Sequence, residues 1–249
     1  MLSLRLRLIL AATVGIAAAA VAAPALAQSI SIDLGGGEGT SSTARIIQLV
    51  VMLTVLSLAP SILVMATSFT RIVVVLSFLR SALGTQQAPP NIVLISLALF
   101  LTAFIMEPTF RAIYEEAVQP LLAEQITEEQ ALTRAVDPLR TFMLKHVRDE
   151  DLQLFLDMSK SDTPATAAET PLKALAPAFM ISELRRAFEI GFLLFIPFLV
   201  IDMLVASVLM SMGMMMLPPI MISMPFKLIF FVLVDGWRLV AGSMAQSYG

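Results

Sequence analysis

A long apolar stretch near the end of the chain restricts its fold more than any other feature. It runs from Ile190 to Val234, contains Asp202 and Lys227, and turns at Met212-Gly-Met-Met-Met-Leu-Pro-Pro219. Because glycine permits a sharp bend and proline cannot continue a helix, the stretch predicts two apolar helices joined by a methionine-rich tip. We therefore expect a helical hairpin of the kind found in membrane proteins.

Composition supports an all-α membrane protein. Hydrophobic residues make up 58% of the 249 residues, whereas soluble proteins average about 45 to 50%. The net charge of -3, without a basic tract among aromatics, argues against nucleic-acid binding. The chain has no cysteine and a single histidine, which excludes disulfides, zinc sites and cysteine nucleophiles. We therefore expect no cofactor and no metal.

The N-terminal residues have the pattern of a secretory signal peptide. Arg5 and Arg7 precede an apolar run over residues 8–23, and Ala25-Leu-Ala27 supplies the small residues of a cleavage site. We predict that residues 1–27 are cleaved off, with an uncleaved anchor helix as the alternative. Residues 28–44, which are rich in glycine, serine and threonine, then predict a flexible exported arm.

Four further apolar segments follow the arm, at residues 46–67, 92–106, 190–212 and 217–239. A lipid-exposed span needs about 20 apolar residues. One segment is shorter, and Pro60, Pro197 and Pro225 interrupt the others. Because backbone groups freed by proline need protein neighbours inside a membrane, we expect helices packed side by side in an assembly.

Charge divides the mature chain into apolar helices at 45–106, a charged helical region at 107–189 and the apolar hairpin at 190–249. The charged region is acidic overall and predicts a periplasmic part. The connection from Thr70 to Pro90 carries Arg71 and Arg80 without an acidic residue, which predicts a cytoplasmic position. We interpret the two arginines first as snorkelling anchors and second as partner contacts.

Helix signals recur within the charged region. Thr127-Glu-Glu-Gln130 predicts a capping box that opens a helix, which we expect to break at Val136-Asp-Pro138. Residues 139–159 are predicted to be helical again, followed by a loop at 161–171.

The helix predicted from Pro177 to Phe192 has one apolar face and one charged face. Its spacing allows two ion pairs, Glu183 with Arg186 and Arg185 with Glu189. These four charges are either a solvated face or contacts between repeated subunits.

Two motifs carry a specific resemblance. The segment Pro177 to Phe192 and the pair Pro225-Phe-Lys-Leu and Asp235-Gly-Trp237 resemble the two signatures of the FliP/SctR family of type III secretion export-gate proteins. The similarity extends to residues 70–80 and 86–91. The predicted signal peptide favours the flagellar branch over the injectisome branch.

The resemblance implies a ring of several copies, five in the family, in which helical hairpins pack side by side in a helical arrangement. It implies FliQ and FliR as completing partners, with FlhB and FlhA alongside. Such a gate passes unfolded flagellar subunits across the bacterial inner membrane at the flagellar basal body, has a substantial periplasmic part, and performs no catalysis.

Flexible thioether side chains at the tip suit a seal. Methionine is unbranched and polarizable, so it can repack around a passing polypeptide. In a ring, the four tip methionines would converge as a gasket: Met212, Met214, Met215 and Met216. Gly213 would permit the bend, and Pro218 and Pro219 would prevent a continuous helix. The alternative is that the methionines fill a core or contact lipid.

Three embedded charges need partners or a function. Asp202 precedes Met215 by about thirteen residues and Lys227 follows it by about twelve, so on antiparallel helical arms both reach a similar height. They can pair within one hairpin or with another subunit. Asp235 lies near Arg238 and Trp237, and we expect this group at the membrane boundary.

Two other classes of function remain open. The embedded charges also suit an ion-coupled membrane transporter or channel, although no inverted repeat is evident. A membrane enzyme is disfavoured, because the chain lacks His-Glu-x-x-His, Gly-x-Ser-x-Gly and a cysteine nucleophile.

Overall fold

A computed structural model describes residues 49–50, 53–54, 57, 61–85, 87–159, 169–214 and 216–249. The predicted signal peptide, its cleavage site and the exported arm lie outside the described residues. The chain divides into two units, Met1–Val51 and Met52–Gly249, and the helices below belong to the second. The described ranges are helical and contain no strand, as the all-α prediction requires.

The helices of the second unit differ widely in length. In chain order they are α1 (Phe69–Ala82), α2 (Asn91–Ile105), α3 (Glu107–Ile113), α4 (Gln119–Leu122), α5 (Glu128–His146), α6 (Asp149–Ser159), α7 (Leu172–Ser211), α8 (Pro219–Leu233) and α9 (Gly236–Gln246). A π-helical turn, Tyr114–Val118, connects α3 to α4. Residues 61–66 form a further helical stretch.

Helix α1 lies at the centre of the apolar core. Its Ile72, Val75 and Leu79 are completely or almost completely buried, and it packs between α7 and α2. Gly191 of α7 faces the ring of Phe78, and a Cβ at that glycine would lie 2.6 Å from the ring. Much of the connection predicted at 70–90 is thus a buried helix, and its cytoplasmic position stays a prediction.

Helix α7 is continuous over 40 residues, about 60 Å at 1.5 Å per residue. Pro177 and Pro197 lie inside it, and Pro225 lies inside α8, so the helices continue through the prolines that interrupt the apolar segments. Packing of α7 on α1, α6 and α8 holds the helix together across its prolines. The boundary predicted at residue 190 consequently falls in the middle of one continuous helix.

Among the described residues, α7 is the one helix long and apolar enough to cross a membrane. Two bent pairs raise the possible number of spans to three, if each pair is taken as one span. The first pair joins α2 to residues 107–122 at 62°, and the second joins α8 to α9 at 63°. The described part of the chain thus supports a membrane location, with fewer simple spans than its apolar segments suggested.

In the charged region, the helix that follows Thr127 begins as predicted but continues past the predicted break. Thr127 and Gln130 form the predicted capping box at the start of α5. The predicted break at Pro138 is wrong, because α5 continues to His146 and the chain becomes extended at Val147. The next helix begins with Asp149-Glu-Asp151, whose negative charges are favourable at a helix N-terminus.

Candidate functional site: the methionine tip and two buried charge clusters

Helix α7 ends in a Schellman motif where the tip of the hairpin begins. The backbone N–H of Met214 donates to the Leu209 carbonyl at 2.9 Å, and that of Gly213 donates to the Met210 carbonyl at 3.1 Å. Gly213 has φ +75°, a left-handed conformation that favours glycine. The sequence-based prediction of a bend at this glycine is confirmed.

The methionines described at the tip point away from the interior of the chain. Met212 is 61% exposed, Met214 is 42% exposed and Met216 is 98% exposed. Met215 lies outside the described residues. Since the described three are not part of this chain's own core, the core-filling alternative does not apply to them within one copy.

Two consecutive prolines set the start of the second arm. Pro218 has extended backbone geometry with ψ 115°, and Pro219 occupies the first turn of α8. A proline at this position costs no hydrogen bond, because the first N–H groups of a helix have no partner within the helix. The prolines therefore separate the two arms and begin the second one.

Asp202 and Lys227 form an ion pair between the two arms, at 2.6 Å from Nζ to Oδ2. The predicted pairing within one hairpin is confirmed. Lys227 also donates to the Ala82 carbonyl at 3.2 Å, and the Ser223 hydroxyl donates to Oδ1 of Asp202. Asp202, Ser223 and Lys227, together with the Ala82 carbonyl, are called the charge clamp below.

The charge clamp connects three helices at one level. Lys227 and Ser223 come from α8, Asp202 comes from α7, and Ala82 is the last residue of α1. Lys227 is buried, with 3% of its surface exposed. Its cation lies at the C-terminal end of α1, where the helix dipole favours positive charge. The clamp thus fixes both arms of the hairpin to the central helix.

A second buried cluster, the arginine cluster, joins Arg71, Glu183, Ser247 and Tyr248. The Arg71 guanidinium forms a two-pronged pair with the Glu183 carboxylate and donates to the Ser247 carbonyl at 3.2 Å. The Tyr248 hydroxyl also donates to Glu183, and Arg71 lies 3.7 Å above the Tyr248 ring. Arg71 and Glu183 are 1% and 0% exposed.

This arrangement corrects two predictions. Arg71 is not a snorkelling anchor, because its guanidinium is enclosed by α1, α7 and the C-terminal residues. Glu183 pairs with Arg71 and not with Arg186, so it does not reach the surface of the chain as an interface residue would. A two-pronged arginine–carboxylate pair satisfies both charges, which explains why they can be buried together.

Aromatic rings extend the arginine cluster toward α5. The His146 ring lies 5.0 Å from the Tyr248 ring and 4.8 Å from the Phe142 ring. Burial, with the nearby cations of Arg71 and Lys145, lowers the pKa of His146 from 6.5 to about 4. Burial also raises the pKa of Tyr248, and the Glu183 charge adds to that shift. The imidazole is therefore neutral and the phenol protonated at neutral pH.

Of the remaining predicted site residues, Arg185, Glu189 and Asp235 are exposed and Arg186 is partly buried. Arg185 pairs with Glu189 at 3.1 Å, which confirms that ion pair, and both side chains are more than half exposed. Contacts of Arg185, Arg186 and Glu189 with another subunit stay predictions. Asp235, with φ 52°, lies in the sharp bend before α9 and is 3.9 Å from Arg238.

Sequence reasoning missed the arginine cluster. Its signal was Arg71 itself, a cation in an apolar helix without a neighbouring acidic residue. Its partners are separated from it by 112 residues at Glu183 and by about 177 residues at Tyr248, and no periodicity relates positions so far apart. The charge clamp was found because its two charges lie symmetrically about the tip.

Comparisons with known proteins agree with the resemblance. The FliP family model matches residues 52–244. Flagellar biosynthetic protein FliP of Caulobacter vibrioides is 65% identical over 212 residues, which cover 85% of this chain and 80% of that protein. The Bacillus subtilis protein of the same name is 57% identical over 211 residues, covering 85% and 94%. The Aquifex aeolicus protein is 55% identical over 204 residues, covering 81% and 85%. This chain therefore belongs to the FliP family of flagellar biosynthesis proteins.

Proposed function

We propose that several copies of this chain form the pore of the flagellar type III protein export gate, and that their methionine tips close it. The observation that carries the proposal is the exposed cluster of Met212, Met214 and Met216 at the end of a hairpin held rigid on both arms. Family membership supplies the flagellar context.

Rigid arms and a soft tip are the two properties that a gate for polypeptides needs. The charge clamp holds α7 and α8 to α1, so the position of the tip is defined by the core. The thioether side chains can change rotamer at little cost and fit apolar or polar substrate side chains alike. In this proposal the seal excludes ions at rest and deforms when an unfolded flagellar subunit passes.

The exposed apolar surface of the hairpin supports an assembly. Large hydrophobic side chains on both arms are at least half exposed in the single chain, among them Phe192, Leu193, Met203, Leu204, Val208, Phe226 and Ile229. Apolar surface of this extent belongs against other protein or against lipid. We propose a ring of five copies completed by FliQ and FliR, with FlhB and FlhA adjacent, as the family resemblance implies.

The same proposal sets the location. The assembly lies in the bacterial inner membrane and the flagellar basal body, and the charged region from α3 to α6 extends into the periplasm. The predicted signal peptide, outside the described residues, would direct the chain there. The gate conducts unfolded protein and performs no catalysis.

An ion-coupled transporter or channel is the alternative function. It depended on Asp202, Lys227 and Asp235 as functional charges within apolar segments. Asp202 and Lys227 neutralise each other, and Asp235 is a surface residue at a bend, so a structural role accounts for these charges. Ion flux through the purified chain reconstituted alone would favour the alternative.

Replacing the tip methionines tests the proposed seal. A triple change of Met212, Met214 and Met216 to alanine should make resting cells permeable to small ions, while the assembled complex still forms. The matched control changes two exposed methionines outside the hairpin, Met65 and Met158, to alanine. Unchanged permeability of cells with the tip variant, in complexes assembled at normal amounts, would assign the tip methionines to packing.

A further inference from the structure

Arg80 is a charged residue of α1 that has no carboxylate partner among the described residues. From Thr70 to Met106 the sequence contains no acidic residue, and its two bases are Arg71 and Arg80. Arg71 is neutralised by Glu183 in the interior. Arg80 lies near the C-terminal end of α1, is partly exposed, and forms no ion pair with a carboxylate of the described residues.

The Arg80 guanidinium faces a polar cavity of about 390 Å³ lined by Arg80, Gln87, Pro90 and Asn91. Its orientation is fixed by hydrogen bonds from the same nitrogen, Nη1, to the Asn91 side-chain oxygen and to the Pro89 carbonyl. These acceptors are neutral, so they hold the cation without cancelling its charge. A group of opposite charge in the cavity would complete the site, and guanidinium is well suited to phosphate.

An exposed apolar stripe begins directly beside this cavity. Asn91 is the first residue of α2, and Ile92, Phe100 and Phe104 on the same helix are 69%, 76% and 74% exposed. Helix α2 is 15 residues long, about 22 Å, which exceeds the thickness of one leaflet of a hydrocarbon core of about 30 Å. A cation at the end of an apolar stripe matches a molecule with a negative head and an apolar tail.

We propose that Arg80 and the exposed face of α2 bind an anionic phospholipid, with the phosphate on the guanidinium and an acyl chain along the stripe. Charge complementarity favours this ligand over a neutral lipid, since no carboxylate of the described residues competes for Arg80. The length of the stripe favours a lipid over free phosphate. The site shares no residue with the methionine tip, and its test does not depend on the proposed pore.

The test uses the complex that contains the full-length chain, reconstituted in bilayers of phosphatidylcholine with phosphatidylglycerol. After transfer to mild detergent, native mass spectrometry counts the lipids that remain bound. We expect phosphatidylglycerol to be retained over phosphatidylcholine, and Arg80→Gln to lower its retention about fivefold, the effect of one basic residue at a membrane surface. Arg80→Lys should retain most of it, because the charge is kept.

Arg111→Gln is the matched control, because Arg111 is exposed, is paired with Glu107 and Glu115, and lies on α3, which follows the end of α2 opposite Arg80. Retention that is equal in Arg80→Gln and the parent, or an equal loss in the Arg111 control, would overturn the proposal.

If Arg80→Gln does not fold, Phe100→Glu tests the stripe and should also lower retention of phosphatidylglycerol. Unchanged retention in that variant would overturn the proposal. Displacement by glycerol phosphate would indicate a phosphate site without an acyl chain. Capture of a second copy of the chain by a photo-cross-linker at position 92 would show that protein, not lipid, covers the stripe, and would overturn the proposal.

Discussion

Lys227 is sensitive to a change of charge, because it is buried and has two oxygen partners. Removing one member of a buried ion pair costs about 3 to 5 kcal/mol. The Asp202 side chain is 29% exposed, so we expect about 3 kcal/mol for Asp202→Asn or Lys227→Gln. The measurement is thermal unfolding in detergent, together with the yield of assembled complex.

Exchanging the two clamp residues should recover part of this loss. The recovery is partial, because an aspartate at 227 would face the Ala82 carbonyl, which accepted a hydrogen bond from the lysine. Asp235→Asn is the control, since Asp235 is exposed and its ion pair with Arg238 contributes little. If the exchanged pair fails as completely as both single variants, the pair is not the origin of the effect.

His146 predicts a dependence of stability on pH. Its folded-state pKa of about 4 lies below the ordinary value of 6.5, so the unfolded chain binds more protons between these two values. Stability is therefore full above about pH 6.5, falls as the pH is lowered, and levels off below about pH 4. We expect a loss of roughly 2 kcal/mol, allowing for solvent screening on the cavity wall where the ring lies. His146→Phe should remove this part of the pH dependence of the melting temperature.

At the scale of helices, the contact between α1 and α7 depends on the small size of Gly191. A Cβ there would lie 2.6 Å from the Phe78 ring, so Gly191→Ala forces the helices or the ring to move. We expect a loss of about 1 to 3 kcal/mol, the usual cost of overpacking. In contrast, Gly242→Ala in α9 meets no atom within 4 Å and should stabilise its helix slightly. Comparison of the two melting temperatures tests the contact, and equal shifts would contradict it.

Helix signals that act over a few residues were predictive. The capping box at Thr127, the bend at Gly213 and the extent of α2 depend on neighbouring residues, and the structure confirms each. The proline inside α5 misled the prediction, because packing against other helices offsets the hydrogen bond that a proline removes. The effect of a proline on a helix therefore depends on tertiary contacts that the sequence does not display.

At the scale of the whole molecule, the two buried clusters lie at different places along α7. The arginine cluster contains Glu183 from the first half of α7, and the charge clamp contains Asp202 from the second half of α7. The sequence predicted the clamp because Asp202 and Lys227 lie at similar distances from the tip that joins the two arms. The arginine cluster depends on α1, α7 and the C-terminal residues coming together, and a single sequence without a known fold does not contain that information.

The exposed pair of Arg185 and Glu189 tests whether neighbouring copies meet along α7. As a solvated pair within one helix it contributes only a few tenths of a kcal/mol. If these charges set the register between subunits, Arg185→Glu places like charges together and should lower the yield of the ring while the melting temperature of the single chain stays nearly unchanged. Adding Glu189→Arg restores opposite charges and should restore the yield. Arg111→Glu, on exposed α3, is the control. A normal yield of the ring in Arg185→Glu would show that this face of α7 is solvated and does not contact a neighbouring copy.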